Sequence, residues 1–149
     1  MSTPQTDPAT VLKRFYTAER EYMQAGGPEM GASFDGMAAT LAADVVLHHS
    51  LDLPWGGDWH GRDGFKAGST KMSELNESVE VQRPRFFTDG DTVLATLTLV
   101  TVARETGTRI EAPMIQQVTI SGDQITDFSA FYWNVPKYLR AYRLPAPRS

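Results

Sequence analysis

Apolar residues recur at helical spacing in the first part of the chain and at alternate positions after residue 76, so the sequence has two textures. In "TDPATVLKRFYTAEREYMQAGGPE", Val11, Leu12, Phe15, Ala18 and Tyr22 fall on one helical face. Asp7 can cap that helix, Pro8 can take its first position, and Gly26, Gly27 and Pro28 stop it. "SFDGMAATLA" predicts a shorter helix, with Phe34, Met37, Ala38 and Leu41 on one side. "ADVVLHHS" turns to β-branched residues and predicts a strand from about Asp44 to Ser50. The glycine-rich "LPWGGDWHG" allows a turn and a short return strand, and Asp63 can cap a third helix over 64–75. Gly64 and Gly68 weaken that helix.

The later texture is different. "ESVEVQRPRFFT", "TVLATLTLVTVARE", "TRIEAPMIQQVTIS" and "QITDFSAFYWN" are strand-like, and "DGD", "TGT" and "SGD" between them have the composition of hairpin turns. "VPKYLRAYRL" predicts a terminal helix. Helices followed by an antiparallel meander predict one α+β domain over 1–149, with 1–6 and 145–149 as loose tails.

Composition narrows the partners. The chain has 149 residues, 41% of them apolar and 21% charged, enough to bury a core without staples. A net charge of −4 with dispersed basic residues argues against nucleic acid or an anionic membrane. There is no cysteine, so thiol chemistry and zinc fingers are excluded. "MSTPQTDPAT" lacks an apolar signal core, and no run approaches the roughly 18 apolar residues of a membrane span, so the expectation is a cytoplasmic protein.

The rarest side chains are concentrated. "VLHHSLDLPWGGDWHG", 46–61, holds all three histidines and two of the three tryptophans. Histidine titrates near neutral pH, and tryptophan is the largest apolar side chain, so the stretch suits the rim of a ligand pocket or a loop folded over the core.

The order of elements, together with "LAADVVLHHSLDLPWGGDWHGRDGF" and "EAPMIQQVTISGDQITDFSAFYWN", resembles the nuclear transport factor 2-like superfamily. That superfamily includes ketosteroid isomerases, SnoaL-like polyketide cyclases, scytalone dehydratase and limonene epoxide hydrolase. The resemblance implies a cone: a curved, mostly antiparallel sheet wrapped around three N-terminal helices, with a pocket at its mouth. It also places His49 where the isomerases carry a catalytic acid, with Leu47 on the same face and His48 pointing away. Gln116 takes the position of the second isomerase acid. Phe15 takes that of the first-helix tyrosine, with Tyr16 one residue off. Phe128, Ala130, Tyr132 and Asn134 should face inward, and Ala130 falls where epoxide hydrolases and some cyclases carry an aspartate. Steroid isomerisation needs a carboxylate base and a protonated acid, and epoxide hydrolysis a carboxylate that activates water. The replacements at these positions set both activities aside while leaving the fold.

The remaining chemistry is acid–base. His49 can act as the base, or be a core histidine bonded to a neighbour. Gln116 can donate to a substrate carbonyl or bond a neighbouring side chain, and Tyr132 can be a general acid or simple packing. His48 suits a structural or interface role. His49 and His60 could meet across the short hairpin, but without a carboxylate third ligand no metal site is expected. Asp52 could orient an imidazole or sit exposed in a turn, and Asn134 could cap a loop or enter the pocket. Trp55 and Trp59 are expected to flank the mouth, Trp133 to face away, and Phe15, Leu47, Met114 and Phe128 to form apolar walls.

These readings predict a cofactor-free isomerase, cyclase or dehydratase acting on an apolar steroid-, terpenoid- or polyketide-like carbonyl compound. The alternatives are a non-catalytic protein that binds small apolar ligands and a dimerising interaction module. Apolar and threonine side chains on both faces of 93–104 and 109–121 predict a homodimer through the outer sheet face.

Overall fold

The computed structural model describes residues 7–144, and the two predicted tails lie outside the described residues. Helix α1 (Pro8–Gln24) starts as its sequence dictates: the Asp7 side chain accepts from the Ala9 amide at 3.1 Å and a proline occupies the first turn. A 3-10 turn (Gly27–Met30) and the single turn α2 (Asp35–Ala38) follow. The second helix is thus shorter than its apolar spacing suggests, because the chain is already extended in β1 (Leu41–His49). Strand β2 (Gly57–His60) returns along β1, pairing His49 with Gly57 and Val46 with His60.

Helix α3 (Gly61–Leu75) begins before the expected position, with Asp63 inside its first turn instead of capping it. Gly64 and Gly68 within it have a steric reason. A Cβ on Gly68 would come within 3.0 Å of the Trp59 indole, and one on Gly64 within 3.1 Å of the Trp59 backbone. The helix gives up propensity at both positions to let Trp59 pack against it.

Strands β3 (Asn76–Asp89), β4 (Thr92–Ala103), β5 (Arg109–Ser121) and β6 (Gln124–Tyr132) form the meander, and α4 (Val135–Ala141) closes it. Gly90, Gly107 and Gly122 take positive φ in the hairpin turns, at 62°, 69° and 65°. The sheet order is β2-β1-β6-β5-β4-β3, antiparallel except where β1 runs parallel to β6. Pro84 sits on β3, an edge strand whose register shifts between Gln82 and Arg85. This is the predicted α+β cone: a curved, mostly antiparallel sheet around N-terminal helices.

Two cores result. The main one packs Val11, Leu12 and Phe15 of α1 against Leu47, Phe65, Val118 and Phe128. The second gathers Leu53, Trp55, Ile110, Tyr138 and Tyr142 beneath α4. Gly56 ties the turn between β1 and β2 to its own backbone: a Cβ there would come within 2.1 Å of the Ser50 carbonyl oxygen. Gly56→Ala is therefore expected to displace this turn and lower the urea midpoint, by about 1–3 kcal/mol of stability for an overpacked site.

Candidate functional site

Alternation along the strands decides what faces the interior. On β5, Ile110, Ala112, Met114, Gln116, Val118 and Ile120 point inward and are buried, so of the glutamine pair Gln116 enters the core and Gln117 does not. On β1 the same rule separates the adjacent histidines. Leu47 and His49 line a cavity of about 50 Å³, with room for roughly three or four waters. His48 emerges on the other face, held between Asp58 at 2.7 Å and Asp127 at 3.2 Å.

The cavity wall brings together much of the predicted pocket. Phe15, Phe65, Phe128, Met114, Ala130 and Leu47 supply apolar surface, and His49, Gln116, Tyr132 and Glu19 supply polar groups. Its lining contains no lysine or arginine. Tyr16 is not on the wall; its hydroxyl donates to Oε1 of Gln116 at 2.5 Å. Gln116 Nε2 meets the Met114 sulfur at 3.4 Å, so this buried amide, 6% exposed, is held from both ends.

A second chain of hydrogen bonds fixes His49. Trp55 Nε1 donates to the Tyr132 hydroxyl at 3.1 Å, and that hydroxyl lies 3.2 Å from His49 Nδ1. The phenol oxygen accepts from tryptophan, and it either donates its own proton to Nδ1 or accepts a second hydrogen bond from it, according to the imidazole tautomer. Where the phenol donates to Nδ1, the neutral imidazole carries its hydrogen on Nε2 and has a donor to offer a ligand. Burial, helped by the neighbouring His48 charge, lowers the His49 pKa to about 4. This ring is neutral at pH 7. So low a pKa makes His49 a weak base, and its neutral ring can instead donate a hydrogen bond to a carbonyl oxygen. Burial also raises the Tyr132 pKa, keeping that hydroxyl a donor.

Other expectations resolve differently. Trp55 does not flank the mouth. It is fully buried in the second core, where it supports Tyr132 from behind. Trp59, on β2, is not on the cavity wall but packs against α3, and it donates to the Trp55 carbonyl at 3.0 Å. Asn134 caps α4 by accepting from the Lys137 amide at 3.1 Å. Asp52 is exposed in a turn, and His60 stands opposite Val46, three residues from His49, so neither imidazole nor carboxylate approaches His49 from that hairpin. Trp133 is 80% exposed and faces away as expected. Among the described residues no group of three His, Cys, Asp or Glu side chains is placed to hold a metal ion.

One residue escaped the sequence reading. Glu19 lines the cavity, and burial raises its pKa to about 7. The signal was present: Leu12, Phe15, Glu19 and Tyr22 follow helical spacing, which puts a carboxyl group in the middle of the buried stripe of α1.

His48 gives a pH prediction. Burial opposes its protonation, but Asp58 and Asp127 outweigh that and raise its pKa. A histidine raised on folding contributes fully below its unfolded pKa of about 6.5, and the contribution fades as pH rises through the folded value. Urea unfolding should therefore show a deficit in His48→Ala at pH 5.5, of the size of an exposed ion pair, about 0.2–1 kcal/mol, that shrinks by pH 8.5.

A family model for the SnoaL-like domain matches residues 12–128. The fold is similar to three solved structures. TerC co-crystallised with polyporic acid is 16% identical, with 91% of this chain and 98% of that chain covered and a TM-score of 0.76. An NTF2-like protein from Burkholderia xenovorans LB400 is 19% identical, with 95% and 99% covered and a TM-score of 0.73. A putative polyketide cyclase from Xanthomonas campestris pv. campestris is 20% identical, with 91% and 96% covered and a TM-score of 0.69. No curated protein matches. Among the described residues no helix is long and apolar enough to cross a membrane.

Proposed function

We propose that this chain, which belongs to the SnoaL-like domain family of the nuclear transport factor 2-like superfamily, is a small acid–base enzyme. Its substrate is an apolar carbonyl compound of steroid, terpenoid or polyketide type, and its reaction an isomerisation, cyclisation or dehydration. The observation that carries this reading is the polar set inside an apolar cavity: His49 braced by Tyr132 and Trp55, and Gln116 braced by Tyr16. Such preorganised donors stabilise charge as it develops on a carbonyl oxygen, because they are already oriented in a site of low dielectric. The SnoaL-like family match and the fold shared with a putative polyketide cyclase support the substrate class. A flat ligand larger than the cavity enters by moving Met72 and Met114, whose unbranched side chains repack readily.

The test is exchange at carbon. A panel of apolar ketones incubated with the protein in D2O should include one whose α-hydrogens exchange faster than in buffer, read by NMR. Tight binding without exchange across the panel would favour the second reading, a binding protein. That reading is supported by the donor polarity of His49, which suits recognition as well as catalysis.

Assembly belongs to the same proposal. Ile115, Phe131 and Trp133, 45%, 55% and 80% exposed, line an apolar groove of about 390 Å³ on the outer sheet face. A second copy of the chain is its proposed occupant, since a self-complementary contact would take these exposed aromatic side chains out of water. Light scattering at micromolar concentration should give a dimer's mass, and Phe131→Asp a monomer's. A monomeric native protein overturns the assembly.

A further inference from the structure

The geometry points to Glu19 as the group that takes and returns the proton in this cavity, a deduction that rests on the acid–base reading above. The carboxyl lines the same wall as His49 and Gln116, and no ion pair involves it among the described residues. It also borders a second cavity, of about 30 Å³, whose wall includes Tyr22, Ser69 and Ser73. The Tyr22 hydroxyl is buried with no hydrogen-bond partner. Glu19 thus stands between two cavities: one holds the carbonyl-polarising donors, and the other, walled mainly by Met23, Met37, Met72 and Val79, has room for roughly two waters. The titratable groups facing it are Tyr16 and Tyr22 on its own helix, His49 on β1 and Tyr132 on β6. None is cationic at pH 7, since His49 is neutral there.

A carboxyl group in this position is costly unless it is used. An apolar residue or glutamine would fill the same stripe of α1 without desolvating an acid. Burial holds Glu19 at a pKa of about 7, near the optimum for a group that must both accept and donate at neutral pH. In the step this implies, the Glu19 carboxylate removes a proton from the carbon beside the carbonyl. The C–H electron pair becomes the new C=C bond, and the carbonyl π pair moves to oxygen, where His49 Nε2–H and Gln116 hold it. The acid so formed returns a proton to that carbon, the C=C pair forming the new C–H bond as the carbonyl re-forms, and the carboxylate is regenerated. No proton or electron is left over.

The test does not need the natural substrate. 5-Nitrobenzisoxazole, a flat apolar probe, opens when a base removes its carbon-bound proton, and the product is coloured. The native protein should open it faster than buffer, with a rate that rises with pH to a midpoint near 7. Glu19→Gln should lose at least tenfold and the midpoint with it, Glu19→Asp should keep part of both, and His49→Ala should slow the reaction without moving the midpoint. Carboxyl 13C titration, assigned with Glu19→Gln, should show the same midpoint. The sign of the linkage supplies a folding control: an acid raised on folding costs stability as pH rises from about 4.5 to 7. Glu19→Gln should therefore melt no lower than the native protein at pH 8. A rate kept in Glu19→Gln and lost in His49→Ala, or an ordinary carboxylate midpoint, overturns the role of Glu19 and leaves the enzyme reading standing. A native protein with no rate above buffer overturns both.

Discussion

His49→Ala is expected to remain folded and to lose about 100-fold or more of the carbon-exchange activity on the ketone found by the panel, the loss typical of removing one preorganised donor. His48→Ala, one residue away, should leave that activity largely intact. The difference is geometric. His49 reaches the cavity, where Tyr132 holds its Nδ1, whereas His48 is held by Asp58 and Asp127 on the opposite face of β1. Equal loss in the two variants would remove His49 from the site. His49 also carries a stability signature. Its pKa is depressed on folding, so its contribution is complete above the unfolded value of about 6.5 and is lost as pH falls toward about 4. His49→Ala should therefore flatten the acid limb of the urea midpoint plotted against pH.

The largest structural effect is expected at Trp55. Its indole is fully buried between Tyr132 and Tyr142, with ring centroids at 6.2 and 5.7 Å. Trp55→Ala should lower stability by about 3–5 kcal/mol, the range for truncating a buried large aromatic. It should do more than open a void. It also removes the donor at 3.1 Å from the Tyr132 oxygen, the partner of His49 Nδ1, and so changes the hydrogen bonding that positions the imidazole. Trp55→Phe separates the two effects. It should recover much of the packing, while the ring-nitrogen shifts of His49, read by 15N NMR, move away from those of the native protein. Unchanged shifts would show that the imidazole is positioned by other contacts.

The strands were legible because period two admits few readings. In "RIEAPMIQQVTIS" alternation alone separates Gln116 from Gln117, and in "VVLHHS" it separates the histidines. Glu19 was not recognised because a charged side chain within an apolar stripe is usually solvated, and only the surrounding walls show that it is half-buried against a cavity. Trp55 was misplaced for a related reason. The direction of its indole depends on a turn in which Gly56 lies against the backbone of Ser50 and Leu51, a contact that local propensity does not encode. Asn134 had two competing uses, and the start of α4 immediately after it decided for the cap. The parallel pairing of β1 with β6 carries no local signature, since its partners come from opposite ends of the chain.

That pairing constrains how the chain reaches its fold. As the polypeptide leaves the ribosome, Leu41–His49 appears with only the short β2 to pair with, and its other edge waits for Phe128, Ser129 and their neighbours, which are made last. Until then the strand that carries His49 has an open edge, a template for pairing with the wrong chain. Closing so long a loop delays the reward of contact, so the β3–β5 meander, joined by short hairpins, is expected to form first and β1 to dock late. Pulse-labelled hydrogen exchange should find the amides of 93–102 protected before those of 45–48. By this order, the cavity comes into existence only in the final step of folding.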